Sequence, residues 1–485
     1  MLKIILFISG GVFPIFSLSL LPTLLNTVVE KNYSFSLQLL IYISVLLILH
    51  RIIKKYIVPS RQLNTIQGFG AVGISWFLIS IYSSIPYIFS GINLTYIDIL
   101  FETISGLTTT GSSILIDIES VDKSLLIWRS TTQWLGGMGI IVLTITILPL
   151  LGSGGINLFK AESPGPSADR LTPRFQDTAR LLWVIYISLT FLETILLYFS
   201  GLSFYDSFNH AFTTLSTGGF STFNSSVSEF STLTIFIINI FMFLAGSSFI
   251  LLLKVLKNKN LNELFKSSEF KFYTFIVFST ATIFLLKTIS NSENIFLAIN
   301  NAVFTSLTLI TTTGYTNLDY ENWNINYRVF ILGVMFLGGM SGSTAGGIKT
   351  VRVIALLKSV RNEIRKIFYP NAIFKIRMSK SIIPERMIES VQTFFILYVA
   401  IFVLGTFAIS ISSNIAGAPL SFEAILGGVA SAMNNVGPGL GELGPIKNYF
   451  YIDQGSKLIL SLLMIIGRLE IFPIVILLYR KTWKS

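Results

Sequence analysis

Stretches of about twenty apolar residues recur along this chain, and they limit its possible folds more than any other feature. A helix needs roughly that length to cross about 30 Å of bilayer hydrocarbon. Within lipid every backbone N–H and C=O group must find a partner inside the protein, so we expect helices. About ten spans are predicted, near Met1–Leu25, Phe35–Ile53, Gly68–Phe89, Leu125–Leu151, Ala179–Phe199, Leu233–Leu256, Phe272–Ile289, Val329–Leu357, Val391–Ser412 and Leu458–Leu478.

Charge is scarce in this chain and unevenly placed. Asp, Glu, Lys and Arg make up 12% of the residues, against about 25% in soluble domains. The net charge of +11 comes from Lys and Arg that concentrate in alternate loops, the bias of loops retained in the cytoplasm. We therefore expect membrane lipid and no nucleic acid as partner, with both termini on the cytoplasmic side of a bacterial inner membrane. With no cysteine and two histidines, disulfides and zinc or haem centres are not expected.

Four short apolar runs lie between alternate spans, and each ends in small polar residues and glycine. They are Ile97–Leu107, Ser207–Leu215, Ile295–Ile310 and Phe422–Met433, too short to cross a bilayer. Internal repetition indicates a fold built from equivalent units. The sequence predicts an all-helical, multi-pass membrane protein with four pseudo-symmetric helix–pore-loop–helix repeats around one pore. An N-terminal helical hairpin is predicted over residues 1–60, and the repeats over 61–178, 179–270, 271–386 and 387–485.

Four glycine-bearing loops at membrane depth point to a cation pathway. Irregular backbone there is either buried in protein or lines a wet cavity, and loop carbonyls can replace the hydration shell of a cation. Glycine permits the backbone conformations and the close approach that such loops need. A helix C-cap explains one such glycine equally well, but four at equivalent places favour a shared role. The predicted cation ligands are Thr109, Thr110, Gly111, Ser216, Thr217, Gly218, Thr312, Thr313, Gly314, Asn435, Val436 and Gly437.

The loops Thr108–Ser113, Ser216–Thr222, Thr311–Thr316 and Asn434–Gly439 resemble those of the Trk/Ktr/HKT superfamily of potassium transporters. Trp134–Gly139, Gly338–Lys349 and the stretch from Glu162 to Arg174 resemble its TrkH branch, and the resemblance covers nearly the whole chain. It implies inward movement of the K⁺ ion through a homodimer, gated by a cytosolic nucleotide-binding subunit of the TrkA type. In the plant relatives a serine at the first filter position accompanies sodium transport, so Gly111 favours potassium.

A run of glycine and serine interrupts the predicted span of the third repeat. Such residues should unwind a helix, and beneath the loops the segment would obstruct the pore, as the resemblance implies for a gate. A packing seam of small residues between helices is the alternative. The predicted gate residues are Gly338, Gly339, Gly342, Ser343, Thr344, Gly346, Gly347, Lys349 and Arg468.

Arg468 is the one basic residue that we place deep in a predicted span. A charge at that depth usually faces a cavity or a partner. Arg468 therefore either faces the pore below the filter or serves structure, in an ion pair or bonded to carbonyls of the unwound segment. Glu470 lies two positions further on and points elsewhere on the helix, so it is not expected to be its direct partner.

Other functions fit parts of the sequence. A sodium-selective or sodium-coupled relative would share the same loops. A membrane enzyme would need clustered carboxylates, histidine pairs or a Ser/Lys dyad at membrane depth, and the sequence shows none, so no enzymatic activity is expected. The sequence leaves open whether transport is driven by voltage alone or is a symport coupled to protons or sodium.

Overall fold

The computed structural model describes residues 2–57, 65–139, 175–379 and 381–479, and there the chain is almost entirely helical. The strands Arg377–Met378 and Ser381–Ile382 form one short antiparallel pair. The predicted all-helical membrane fold is confirmed. The α-helices are Leu2–Ser19, Leu21–Val29, Tyr33–Tyr56, Thr65–Phe89, Tyr96–Leu107, Lys123–Gly137, Phe175–Phe199, Phe204–Leu215, Thr232–Ala245, Phe249–Asn258, Asn262–Lys266, Ser268–Thr288, Ile295–Ile310, Ile325–Met335, Thr350–Phe368, Glu385–Ile415, Phe422–Asn434, Gln454–Arg468 and Phe472–Val475.

Within the described ranges, six helices are long and apolar enough to cross a membrane, and two bent helix pairs raise the number to eight. One pair bends by 96° after Ala245 and the other by 114° after Arg468. Of the two remaining predicted spans, Leu125–Leu151 lies partly outside the described residues, and Val329–Leu357 is interrupted after Met335. The stretch from Glu162 to Arg174 also lies outside them, and the residue boundaries of the four repeats stay a prediction.

Four helices, which we call pore helices 1 to 4, are too short to span. They have 12 to 16 residues and rise roughly 18–24 Å. Each begins after an N-cap side chain that accepts a hydrogen bond from a backbone N–H of the first turn. These N-caps are Thr95, Ser203, Asn294 and Ser421, and the helices are Tyr96–Leu107, Phe204–Leu215, Ile295–Ile310 and Phe422–Asn434.

The helix after each pore helix, which we call its inner helix, ends in the membrane interior. The inner helices 1 to 4 are Lys123–Gly137, Thr232–Ala245, Ile325–Met335 and Gln454–Arg468. Glycine near these ends lets the C-terminus of a pore helix come close. A Cβ on Gly136 would lie 1.9 Å from the carbonyl oxygen of Leu107, and one on Gly467 would lie 2.1 Å from that of Met433.

The predicted continuous spans Leu233–Leu256 and Leu458–Leu478 are therefore wrong, because each is broken in the middle. In the second repeat the chain turns at Gly246, which lies against Thr311 below pore helix 3. In the fourth repeat Glu470 and Ile471 both adopt positive φ, which no α-helix permits. Interruption at this depth is thus common to repeats two, three and four rather than special to the third.

Candidate functional site

Each pore helix leads into a filter loop, and the four loops share one backbone conformation. The second residue of each loop is left-handed with φ of 55–56°, and the fourth is a glycine with φ of 74–105°. When positive and negative φ alternate, successive N–H groups gather on one side of the chain, which leaves the carbonyls on the other. The loops are Thr108–Gly111, Ser216–Gly219, Thr311–Gly314 and Asn434–Gly437.

The same hydrogen bond closes each loop onto its pore helix. The N–H of the third loop residue donates to the carbonyl five residues earlier, as Thr110 does to Ser105 at 2.9 Å. A bond of this kind satisfies a carbonyl that the end of a helix leaves free. The equivalent donors in the other loops are Gly218, Thr313 and Val436, at 2.8 to 3.0 Å. The four loops are therefore structural equivalents, as the sequence repeats predict.

The four loops close into a ring in which each glycine lies against a carbonyl of a neighbouring loop. A Cβ on Gly111 would lie 2.2 Å from the Gly218 oxygen, so no side chain fits there. The remaining contacts repeat this pattern around the ring: Gly219 with the Thr313 oxygen at 1.9 Å, Gly314 with Val436 at 1.9 Å and Gly437 with Thr110 at 2.7 Å. Carbonyl-bearing backbone from all four repeats thus meets at one place.

The second loop corrects the sequence alignment by one residue. Gly218, which we predicted as the filter glycine of that loop, does not have positive φ and corresponds to Thr110 of the first loop. Gly219 has φ of 74° and fills the position of Gly111. The error arose because two glycines are adjacent and the sequence alone cannot show which of them is left-handed. Ser216 moves correspondingly to the position of Thr108.

A vestibule opens above the ring and touches all four left-handed glycines. It encloses about 790 Å³ and is lined by Gly111, Gly219, Gly314 and Gly437, together with Arg129, Tyr449 and neighbouring residues. Near the rim, Asn224 donates a hydrogen bond to Asp117 at 2.8 Å, which lowers the pKa of that carboxyl and keeps it ionised. A single opening that reaches equivalent atoms of four repeats is the geometry of a shared pathway.

Hydroxyl groups of the loops have three different surroundings. Thr109 Oγ1 is buried without a hydrogen-bond partner among the described residues, which leaves it free to bind a cation. Thr110 Oγ1 accepts from Asn435 Nδ2 at 3.0 Å, a contact between loops one and four. Thr312 Oγ1 accepts from the N–H of Gly346 at 2.7 Å, which ties the third loop to the predicted gate.

Gln133 supports the second loop from behind, and the sequence gave no sign of it. Its Nε2 donates to the Gly218 carbonyl at 2.6 Å, and its Oε1 accepts from the Phe220 N–H at 3.1 Å. The side chain is fully buried on inner helix 1. It holds both sides of the loop at a fixed distance, so we regard it as a positioning residue.

Two buried ion pairs hold the pore helices in place. Arg129 on inner helix 1 bonds to Glu102 of pore helix 1 at 2.7 Å and to the Ser221 carbonyl at 2.9 Å. Lys457 on inner helix 4 bonds to Asp98 of pore helix 1 at 2.6 Å. Our expectation that Arg468 alone among basic residues lies deep in a span is thus wrong. Arg129 and Lys457 occupy apolar stretches as well, and that position in the sequence was the signal that could have identified them.

The predicted gate residues between Met335 and Thr350 form an irregular segment directly beneath the filter loops. Thr344 Oγ1 donates to the carbonyls of Leu215 and Ala245, at 2.9 and 3.2 Å. A Cβ on Gly346 would lie 2.2 Å from the Asn434 carbonyl oxygen. The segment therefore contacts the lower ends of pore helices 2 and 4 and the third loop. It is unwound, as predicted, and is not a seam between continuous helices.

The rest of this gate segment folds back on itself. Gly338 donates to the Ile348 carbonyl at 3.0 Å, and Lys349 Nζ donates to the Ala345 carbonyl. Positive φ at Gly342 and Gly347 makes the two turns. Gly339 and Ser343 lie in the same bend, where a Cβ on Gly339 would meet the Gly246 carbonyl oxygen at 2.7 Å and Ser343 bonds to the Met340 carbonyl at 2.6 Å.

Arg468 holds this gate segment to the first repeat. Its Nη1 donates to the Thr344 carbonyl at 2.8 Å, and its Nη2 donates to the Gly136 and Gly137 carbonyls at 2.6 and 3.1 Å. Glu470 pairs with Arg352 instead, as expected from its different direction on the helix. Of the alternatives for Arg468, the structure shows the contact with carbonyls of the unwound segment.

Comparison with known proteins agrees with this architecture. The sequence profile of the TrkH family, described as a cation transport protein, matches residues 41–484. The chain belongs to the TrkH family. It is 36% identical over 432 residues to the Trk system potassium uptake protein TrkH of Escherichia coli K12, covering 87% of each chain. It is 34% identical to TrkH of Vibrio parahaemolyticus over 88% of this chain and 87% of that protein.

The crystal structure of the potassium transporter TrkH from Vibrio parahaemolyticus superposes with a TM-score of 0.88 at 28% identity, over the full length of both chains. The TrkH family is one of transport proteins rather than enzymes. Its members are multi-pass membrane proteins, in accord with the apolar helices found here. The resemblance stated from the loop motifs is therefore confirmed.

Proposed function

We propose that this chain is the ion-translocating subunit of a potassium uptake system, with K⁺ as its cargo. The observation that carries the proposal is the closed ring, in which the glycine of each repeat lies against a carbonyl of the next. Such a ring can replace the hydration shell of a cation with backbone oxygens. The relatives named as potassium uptake proteins support potassium as the ion.

In this proposal the ion enters through the vestibule, passes the ring and meets the gate segment below it. The gate segment is held shut by Arg468, which bonds to Thr344. A cation directly below the ring also meets the positive charge of Arg468, which opposes its passage. Conduction then requires that Thr344 and Arg468 separate. The ring selects the ion, and the gate segment decides when it passes.

We propose further that the chain acts as a homodimer in the bacterial inner membrane, with both termini in the cytoplasm. A cytosolic nucleotide-binding subunit of the TrkA type would open it. Support comes from the helix Thr350–Phe368, which starts at the end of the gate segment and exposes most of its second half. A partner that grips the exposed half can pull on the gate through one rigid element. Co-purification of the chain with such a subunit, and cross-linking between two copies, would test these two statements.

Potassium uptake in a bacterial host that lacks its own uptake systems tests the proposed function. The wild-type chain should restore growth at low K⁺, and Gly111→Ser and Gly437→Ser should reduce uptake or its preference for K⁺ over Na⁺. Gly417→Ser is the matched control, because Gly417 also has positive φ but no atom lies within 4 Å of its Cβ position. Equal transport of Na⁺ and K⁺ by the wild type would instead identify a sodium-carrying relative. Unchanged selectivity in both filter variants would refute the role of the ring.

A further inference from the structure

The carbonyl of Gly437 in the fourth loop is surrounded by hydroxyl groups. Ser431 Oγ donates to it at 2.7 Å, Ser112 Oγ at 2.8 Å and the Tyr449 hydroxyl at 3.0 Å. All three side chains are almost fully buried. A carbonyl oxygen has two lone pairs, so three donors at these distances occupy its whole accepting capacity.

The other three loops leave the equivalent carbonyl free. Among the described residues no hydrogen bond reaches the carbonyl of Gly111, Gly219 or Gly314. The hydroxyl of Thr308, which corresponds to Ser431, donates to the Tyr315 carbonyl at 2.9 Å and so passes Gly314 by. In the first loop the corresponding hydroxyl of Ser105 has no partner at all within the described part of the chain. The arrangement around Gly437 is therefore specific to the fourth repeat.

The donors also connect the fourth loop to the rest of the outer mouth. Ser112 directly follows the left-handed glycine of the first loop, and Tyr449 lines the vestibule. The backbone N–H of Tyr449 donates to the Ser113 carbonyl at 2.8 Å. The three hydroxyls thus come from a neighbouring loop, from pore helix 4 and from the vestibule wall, and each holds the same oxygen in place.

We propose that these hydroxyls withhold the Gly437 carbonyl from the ion, so the outermost ring of the filter offers three glycine carbonyls rather than four. Ser112, Ser431 and Tyr449 are then positioning residues that set how tightly the outer end binds K⁺. The inference rests on the proposed potassium pathway. Conduction needs a site that binds strongly enough to admit an ion and weakly enough to release it. A ring short of one ligand meets the second requirement at the mouth.

The variants Ser431→Ala and Tyr449→Phe, alone and together, test this inference by K⁺ uptake kinetics in the deficient host. Release of the carbonyl adds a ligand, so the half-saturating K⁺ concentration should fall about three- to tenfold, while the maximal rate falls because the ion leaves more slowly. Ser105→Ala is the matched control, since it removes the equivalent but unpartnered hydroxyl. It should leave the half-saturating concentration unchanged.

Loss of structure alone would lower the maximal rate without lowering the half-saturating concentration, so the two parameters separate the explanations. A half-saturating concentration that is unchanged or raised in both Ser431→Ala and Tyr449→Phe would overturn the inference. For a variant too slow to measure in cells, the purified protein is heated in KCl and in choline chloride. The K⁺-dependent rise in unfolding midpoint should then exceed that of the wild type, and an equal or smaller rise would count against the inference. Failure of the wild type to take up K⁺ would refute the proposed function instead.

Discussion

The Nη1 atom of Arg468 donates a hydrogen bond of 2.8 Å to the carbonyl of Thr344, and so joins inner helix 4 to the gate segment of the third repeat. The same guanidinium also bonds to the first repeat, through Gly136 and Gly137. Three repeats therefore meet at one side chain below the ring. This arrangement makes opening of the gate a question of breaking a few defined hydrogen bonds.

Replacement of Arg468 by alanine should loosen the gate. Hydrogen bonds to a charged donor contribute about 1.5–3 kcal/mol each, and 1.4 kcal/mol is a factor of ten in an equilibrium. We expect K⁺ uptake in the absence of any TrkA-type regulatory subunit to rise on the order of tenfold. Uptake measured in hosts with and without that subunit checks this, because the variant should lose most of its dependence on the subunit.

Arg468→Lys is the control for charge, since it keeps the positive group but lacks the planar fork that reaches Thr344 and Gly136 together. Uptake by Arg468→Lys should still be partly independent of the regulatory subunit. If both variants depend on the subunit as fully as the wild type, Arg468 does not hold the gate.

The sequence predicted the fourfold plan well because its signals are local. Short apolar runs, N-cap residues and glycines all lie within a few residues of the loop that they build. Gly219, Gln133 and the break at Gly246 were missed for a different reason: each depends on contact between repeats about 80 to 130 residues apart. Which of two adjacent glycines is left-handed, and which carbonyl a buried amide reaches, follow from packing rather than from periodicity.

Gln133→Leu should impair ion selection more than folding. The change keeps a buried side chain of similar size but removes the donor to the Gly218 carbonyl and the acceptor for the Phe220 N–H. An unsatisfied buried polar group costs about 1–3 kcal/mol, and the loop can relax to recover part of it. We expect a fall of three- to tenfold in the K⁺/Na⁺ uptake ratio.

The uptake ratio of Gln133→Leu is measured by competition with Na⁺, with Thr131→Val as the control. Thr131 is buried on the same helix and bonds only to the Ile127 carbonyl of its own helix, at 2.7 Å. A wild-type ratio in Gln133→Leu together with normal protein levels would remove Gln133 from the list of positioning residues.

Single removal of either partner in the Arg129–Glu102 pair should destabilise the whole outer mouth. Breaking a buried ion pair typically costs about 3–5 kcal/mol, because a charge is left unpaired. Both Arg129→Met and Glu102→Gln should lower the thermal unfolding midpoint of the purified protein. Both residues are 2% exposed or less, so solvent does little to screen the remaining charge.

The double variant Arg129→Met/Glu102→Gln completes a mutant cycle for the pair. It should be more stable than the sum of the two single changes predicts, since no charge remains unpaired. Additive losses of stability would show that the two side chains act independently of one another.

The central claim is that four equivalent loops form one potassium pathway, and K⁺ uptake by Gly219→Ala tests it most directly. A Cβ at this position would lie 1.9 Å from the Thr313 carbonyl oxygen, so the ring cannot close around it. Gly201→Ala is the matched control, because Gly201 also has positive φ but no atom within 4 Å of its Cβ position. In a host without its own potassium uptake, Gly219→Ala should lose at least nine-tenths of wild-type uptake at equal protein level, while Gly201→Ala keeps most of it. Wild-type uptake and selectivity in Gly219→Ala would contradict the account.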